Sequence, residues 1–183
     1  RASSDMTTTP LFGGALAIAL EGDWLDASDV RPVPDHQEVW TERNGTRALV
    51  VEILERVDAP TDTAAAAAHF EELSSTNAAK KAAVLSSSTL TIDALSASLR
   101  TAAPPALALL GVQELPDDTW LQVHLRLLRL RQQTTDILVS LCRPTEASPS
   151  DAAADGATQD AAMIDGLLRS LEIRDWGLFG DDS

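Results

Sequence analysis

The sequence predicts an α+β domain in which an antiparallel β-sheet is flanked by helices, and three observations carry that expectation. Closely spaced apolar runs between Ala106 and Cys142 favour an antiparallel meander. An Asn44-Gly45 pair between two strand-like runs marks a tight hairpin. Two helical patterns, one alanine-rich and one beginning at Asp160, stand well apart in the chain. With 183 residues, 44% of them hydrophobic, the expectation is one domain spanning residues 1–183 with a core of ordinary size.

Taken in order, LFGGALAIALE from Leu11 to Glu21 is apolar on both faces and reads as a central strand. Gly13-Gly14 would make a bulge or a close backbone approach at its start. The segment DASDVRPVPDHQEVW from Asp26 to Trp40 must be extended around Pro32 and Pro34, because residues before proline are pushed out of the helical region. Glu38 to Arg43 is a short strand, and the turn RNGT leads into a second strand within Arg47–Val57. Thr61 or Asp62 caps a helix that runs through the alanines at 64–68 to Leu73, alanine having the highest helix propensity.

Val84–Thr91 then reads as a strand and Ile92–Leu99 as a short helix, with Pro104-Pro105 as punctuation. Ala106–Leu115 and Trp120–Leu127 are strands, the second slipping at Leu127-Leu128 in a way that suggests a β-bulge. Gln132-Gln133 separates these from a strand over Thr134–Cys142. Pro144–Gln159, rich in Ala, Ser, Pro and Asp, reads as a mobile connection. Met163, Ile164, Leu167, Leu168 and Leu171 recur at helical spacing and predict a last helix packed on the sheet.

Charge narrows the partners. The formal net charge is −14, from 28 acidic against 14 basic side chains, and Lys80 and Lys81 are the only lysines. Nucleic acid is disfavoured, because phosphates attract clustered Lys and Arg. No apolar run reaches the roughly 20 residues of a spanning helix, so no membrane role is expected. Arg1–Thr9 lacks the apolar core of a signal peptide, and the expectation is a soluble, untargeted chain. Cys142 is the single cysteine and is expected to pack as a small hydrophobe.

Catalytic motifs are thin. The sequence has neither a GxSxG elbow nor a Walker phosphate loop, and His36, His69 and His124 lack metal-ligand spacing. His36 is expected to be solvated and His124 structural. Asp26, Asp29, Asp35 and Glu38 surround the single Arg31, and such repulsion invites a complementary partner. Glu52 and Glu55 interrupt an apolar strand; regular alternation puts them on opposite faces, and only a bulge or a strand end would let them share one.

Read in order, LFGGALAIAL, DASDVRPVPDHQEVW, VVEILERV, HFEEL, RLLRLRQQTTDILVSL and LEIRDWGLFG resemble the Ran guanine nucleotide release factors of the Mog nuclear-import family. The blocks span nearly the whole chain, with Ser74–Gln113 outside them. The resemblance implies an αβα sandwich shared with the photosystem subunit PsbP. It also implies a non-catalytic protein without a cofactor, in nucleus and cytoplasm, that binds Ran and promotes release of its guanine nucleotide. Whether a second Ran-binding protein joins the complex stays open. Carried onto this sequence, the Ran-binding surface comprises Asp26, Asp29, Arg31, Asp35, Gln37, Glu38, Glu52 and Glu55, with the acids of the first cluster and the two strand glutamates forming one face. The alternative is a PsbP-like structural subunit of a photosynthetic membrane complex.

Overall fold

The computed structural model describes residues 8–145 and 157–180. Among them are ten strands and three α-helices. The strands are β1 (Thr8–Leu11), β2 (Leu16–Ala19), β3 (Trp24–Asp26), β4 (Gln37–Glu42), β5 (Ala48–Glu55), β6 (Lys81–Thr89), β7 (Ala106–Glu114), β8 (Trp120–Leu130), β9 (Thr135–Thr145) and β10 (Glu172–Ile173). The helices are α1 (Asp62–Thr76), α2 (Ala97–Ala102) and α3 (Ala157–Ser170). Seven strands form an antiparallel sheet in the order β3-β4-β5-β9-β8-β7-β6, and β1-β2-β10 form a smaller one.

Both faces of the large sheet are covered, which explains the composition of its central strands. On β8, Val123, Leu125 and Leu127 face α1, where they join Ala65, Ala66 and Phe70. Leu128 and Leu130 face the other way, into a core shared with Ile164, Leu167 and Leu168 of α3 and with Leu16 and Ile18 of the small sheet. A strand buried on both sides reads as a near-continuous apolar run. The expected bulge at Leu127-Leu128 is therefore absent: pairing runs unbroken from Trp120 to Leu130 against β9, and adjacent leucines simply serve opposite layers. The register shift that does occur lies on the edge strand β6, between Val84 and Ser86.

The expected strand over Leu11–Glu21 is also broken. Phe12, Gly13 and Gly14 all have positive φ, at 50°, 66° and 93°, and form a 3-10 turn that folds the segment into the β1–β2 hairpin. Glycine reaches this region without steric cost, and two in succession make a turn easier than a through-going strand. β2 is central, as expected of a buried strand, but in the small sheet. Ile92–Leu99 is likewise not one helix: a 3-10 turn at Ile92–Ala94 precedes α2, which starts after the Ser96 cap. The connection expected over Pro144–Gln159 is shorter at both ends, because β9 runs to Thr145 and α3 starts at Ala157; positions 146–156 lie outside the described residues.

Other expectations hold. Thr61 Oγ1 accepts the Ala64 N–H at 3.0 Å and caps α1. Gly45, with φ 75°, turns β4 into β5. Cys142 is half-buried against the α1-side core, which pushes its thiol pKa up to about 12. α1 lies close to β7 because Gly111 leaves room for the Phe70 ring: a Cβ there would come within 2.4 Å of Phe70 Cζ. Gly111→Ala is therefore expected to cost about 1–3 kcal/mol through overpacking, measured as a fall in the urea midpoint with unchanged slope. A loss below about 0.5 kcal/mol would show that α1 can shift freely.

Candidate functional site

The acidic segment is built from the end of β3, a loop and the start of β4. Asp26 ends β3, and its Oδ1 accepts the Ser28 N–H at 2.8 Å, capping a 3-10 turn over Ala27–Asp29. The chain then runs exposed through Arg31, Pro32, Pro34 and Asp35. It rejoins the sheet where the Gln37 N–H donates to Pro34 O at 2.9 Å and the Ile53 N–H donates to His36 O at 2.9 Å. The prolines and these two bonds fix the loop ends, so the acids are presented from a stiff support.

Asp26, Asp35, Gln37 and Glu38 line one open depression of about 440 Å³. Glu52 is tied to it, because Gln37 Nε2 donates to Glu52 Oε1 at 2.7 Å across the β4–β5 pair. Glu38 has a structural duty as well: its Oε1 accepts the Phe12 N–H at 2.5 Å and holds the 3-10 turn of the β1–β2 hairpin against the cleft. Asp29 and Arg31 are exposed outside the lining, with the Arg31 Nη1 at 3.5 Å from Pro32 O.

Glu55 does not join this group. β5 pairs with β9 in unbroken register from Ala48 to Glu55, so alternation carries Glu52 to the α1 side of the sheet and Glu55 to the opposite side. The expectation that the two strand glutamates complete one face with the loop acids is therefore corrected. Glu52 lies on the α1-side face with its cross-strand partner Gln37 and meets the cleft only through that hydrogen bond. Glu55 lies on the other face, the one that carries Glu38, and stands exposed at the strand end outside the lining. No bulge intervenes to bring them together.

The histidines are accounted for elsewhere. His36 is exposed. His69, on α1, has Nε2 at 2.8 Å from Asp136 Oδ2 in a buried network with Arg129. His124 is 3% exposed, and burial, with Arg126 and Arg143 nearby, pushes its pKa down to about 4 against the pull of Asp160 and Asp165. It is a neutral core side chain at ordinary pH, in line with the structural role expected of it.

Sequence reasoning missed the apolar side of the depression, which Phe12, Val33 and Leu178 supply. Phe12 and Leu178 come from chain segments far from the acids in sequence. The signal was present only as the LFGG and WGLFG blocks, whose residues look like ordinary core and turn positions until the fold places them beside Asp35.

A family model described as Ran-interacting Mog1 protein matches residues 9–144. Among characterised relatives, the Ran guanine nucleotide release factor of Bos taurus is 32% identical over 181 residues, covering 94% of this chain and 96% of that protein. Its namesake from Danio rerio is 31% identical over 181 residues, covering 93% and 98%. The fold agrees with solved structures. The crystal structure of the Saccharomyces cerevisiae Ran-binding protein Mog1p superposes with a TM-score of 0.71 at 22% identity, covering 96% of this chain and 100% of that one. The photosystem alternative gains no support from these matches. No helix among the described residues is long and apolar enough to cross a membrane.

Proposed function

We propose a function from one premise: the chain belongs to the Ran-interacting Mog1 family. It binds the small GTPase Ran and promotes release of the bound guanine nucleotide, in support of nuclear protein import. It does so as a single domain over residues 1–183, in nucleus and cytoplasm, without catalytic residues of its own. The observation that best supports a defined surface is the gathering of Asp26, Asp35, Gln37 and Glu38 around one depression, with Glu52 fastened to it through Gln37. Asp29 and Arg31 flank that surface, and Glu55 takes no part in it.

No bond need be made or broken for this activity. A release factor binds the empty GTPase more tightly than the loaded one, and by linkage nucleotide weakens the factor's hold by the same ratio. GTPase phosphate sites present a lysine, a magnesium ion and backbone N–H groups, all of which favour negative charge. Acids held on a stiff loop can complement such a surface once nucleotide leaves, and rigidity lowers the ordering cost of docking.

The test is release of fluorescent GDP from purified Ran. Asp35 is the cleanest position, being exposed, whereas Asp26 and Glu38 also hold backbone N–H groups. Asp35→Lys is expected to slow stimulated release by roughly tenfold, the scale of a close charge pair lost at an interface. Glu55→Lys should leave release within about twofold of wild type, since an exposed charge at the end of β5, outside the lining of the depression, is screened by solvent. Equal effects of the two would dissolve the cleft as the docking surface, and unstimulated release by the wild-type chain would remove the function.

A further inference from the structure

We propose that the acidic cleft is half of a composite groove. Its other half is an apolar wall built by Phe12, Val33 and Leu178, and the groove takes a segment of the GTPase in which an apolar side chain is flanked by Lys or Arg. The inference rests on the Ran-binding function proposed above and adds to it the chemistry of the docked segment and a residue, Leu178, that selects for it.

Leu178 is presented rather than merely left outside. It sits in a 3-10 turn, Trp176–Phe179, opened by Asp175, whose Oδ1 accepts the Gly177 N–H at 2.9 Å, and closed at Gly180 with φ 78°. Phe179 packs against the main core and meets Trp176 edge to face at 5.9 Å. Upstream, β10 pairs with β2, and the N–H groups of Arg174 and Asp175 both donate to Ala15 O at 2.8 and 3.1 Å. The turn is thus fastened beside the Phe12–Gly14 turn, which Glu38 holds in place. Leu178, still 40% exposed, is carried to the wall of the depression that Asp26, Asp35 and Glu38 also line.

A single exposed leucine needs no explanation on most surfaces. Here it is held by a core-anchored turn against acids contributed by a different part of the chain. An apolar wall facing carboxylates recognises a mixed segment: the wall gives buried area, and the carboxylates select for flanking positive charge. A second copy of this chain is a poor occupant, because two molecules of charge −14 repel.

The experiment has two arms on the full chain. In the first, Leu178→Asp is compared with wild type, with Leu178→Met and with Val84→Asp, an exposed substitution on the edge strand β6. Leu178→Asp is expected to weaken Ran binding by roughly tenfold or more, as loss of an interface anchor does, with Leu178→Met and Val84→Asp close to wild type. In the second arm, a short peptide with Lys-Leu-Arg at its centre is titrated into labelled protein and followed by NMR. It should shift the Leu178 methyls and the Phe12 amide, while a Glu-Leu-Glu counterpart does not. Ran binding that is unchanged by Leu178→Asp overturns the proposal and leaves the Ran function standing. A wild-type chain that ignores Ran yet seats the basic peptide removes the function and keeps the groove's chemistry, whereas failure of both arms removes both. A dimer in sedimentation that Leu178→Asp dissolves would make a second copy the occupant and overturn the GTPase assignment.

Discussion

Asp136→Ala is expected to destabilise the protein by about 3–5 kcal/mol, the scale for breaking a fully buried ion pair from one side. The reason lies in what the carboxylate holds. Asp136 is fully buried on β9, where its Oδ2 meets His69 Nε2 at 2.8 Å and accepts the Val57 N–H at 3.1 Å. Its Oδ1 accepts from Arg129 Nε at 3.1 Å. Arg129, 1% exposed, also donates to Asp62 Oδ1 at 2.9 Å and to Val57 O at 2.5 Å. Without the carboxylate, one face of a buried guanidinium, a backbone N–H and the His69 ring all lose a partner at once.

The same network gives a pH dependence. Burial alone would raise the Asp136 pKa, but the His69 ring, the Val57 N–H and the Arg129 guanidinium together hold it below the ordinary carboxylate value of 3.8. A depressed folded-state pKa means that the stabilisation is fully present above the unfolded value and is lost as pH falls through the folded one. Chemical denaturation between pH 7 and pH 2 should therefore show wild-type stability falling below about pH 4, with the Asp136→Ala variant lacking that component. A double variant, Arg129→Ala with Asp136→Ala, should cost less than the sum of the singles, since the second change removes the stranded partner. Strict additivity would mean that the two side chains do not depend on one another.

This network also marks where the sequence could and could not be read. Local signals were legible because their cause is local: Thr61 before five alanines caps α1, and Asn44-Gly45 needs only its own backbone preference to turn β4 into β5. The meander β7-β8-β9 was legible from the shortness of its connections. Leu127-Leu128 misled because alternation is a rule for one-sided burial, and β8 is buried on both sides. Gly13-Gly14 misled because glycine in a strand-like run signals either a bulge or a turn, and the choice here is supported by Glu38, which lies far along the chain. At the site, the acids were legible as a charge cluster. Their apolar wall was not, since Phe12 and Leu178 meet them only in the folded molecule.

Asp160→Ala is expected to be comparably severe, about 3–5 kcal/mol, and to act on the opposite side of the large sheet. Asp160 is a fully buried carboxylate in the first turn of α3. Its Oδ1 accepts from Arg47 Nε at 2.6 Å and its Oδ2 from Arg143 Nε at 2.7 Å, so one side chain joins the helix to β9 and to the turn before β5. Arg47 retains Glu42 as a second partner through Nη1 at 2.9 Å, and the Arg143 Nη2 lies 3.3 Å from Gln122 Oε1. The surviving partners soften the loss without removing it, because both arginines are largely buried and their Nε groups would face an emptied site. Asp160→Asn tests charge against shape: an amide keeps the volume but offers one acceptor oxygen, so it should recover only part of the loss. Because α3 carries Ile164, Leu167 and Leu168 into the main core, hydrogen exchange in Asp160→Ala should quicken first along α3 and β2, whereas α1 should keep its protection. Uniform quickening across α1 and α3 would instead mean that the two layers unfold as one unit, and that the polar tie at Asp160 does not set the stability of its own side.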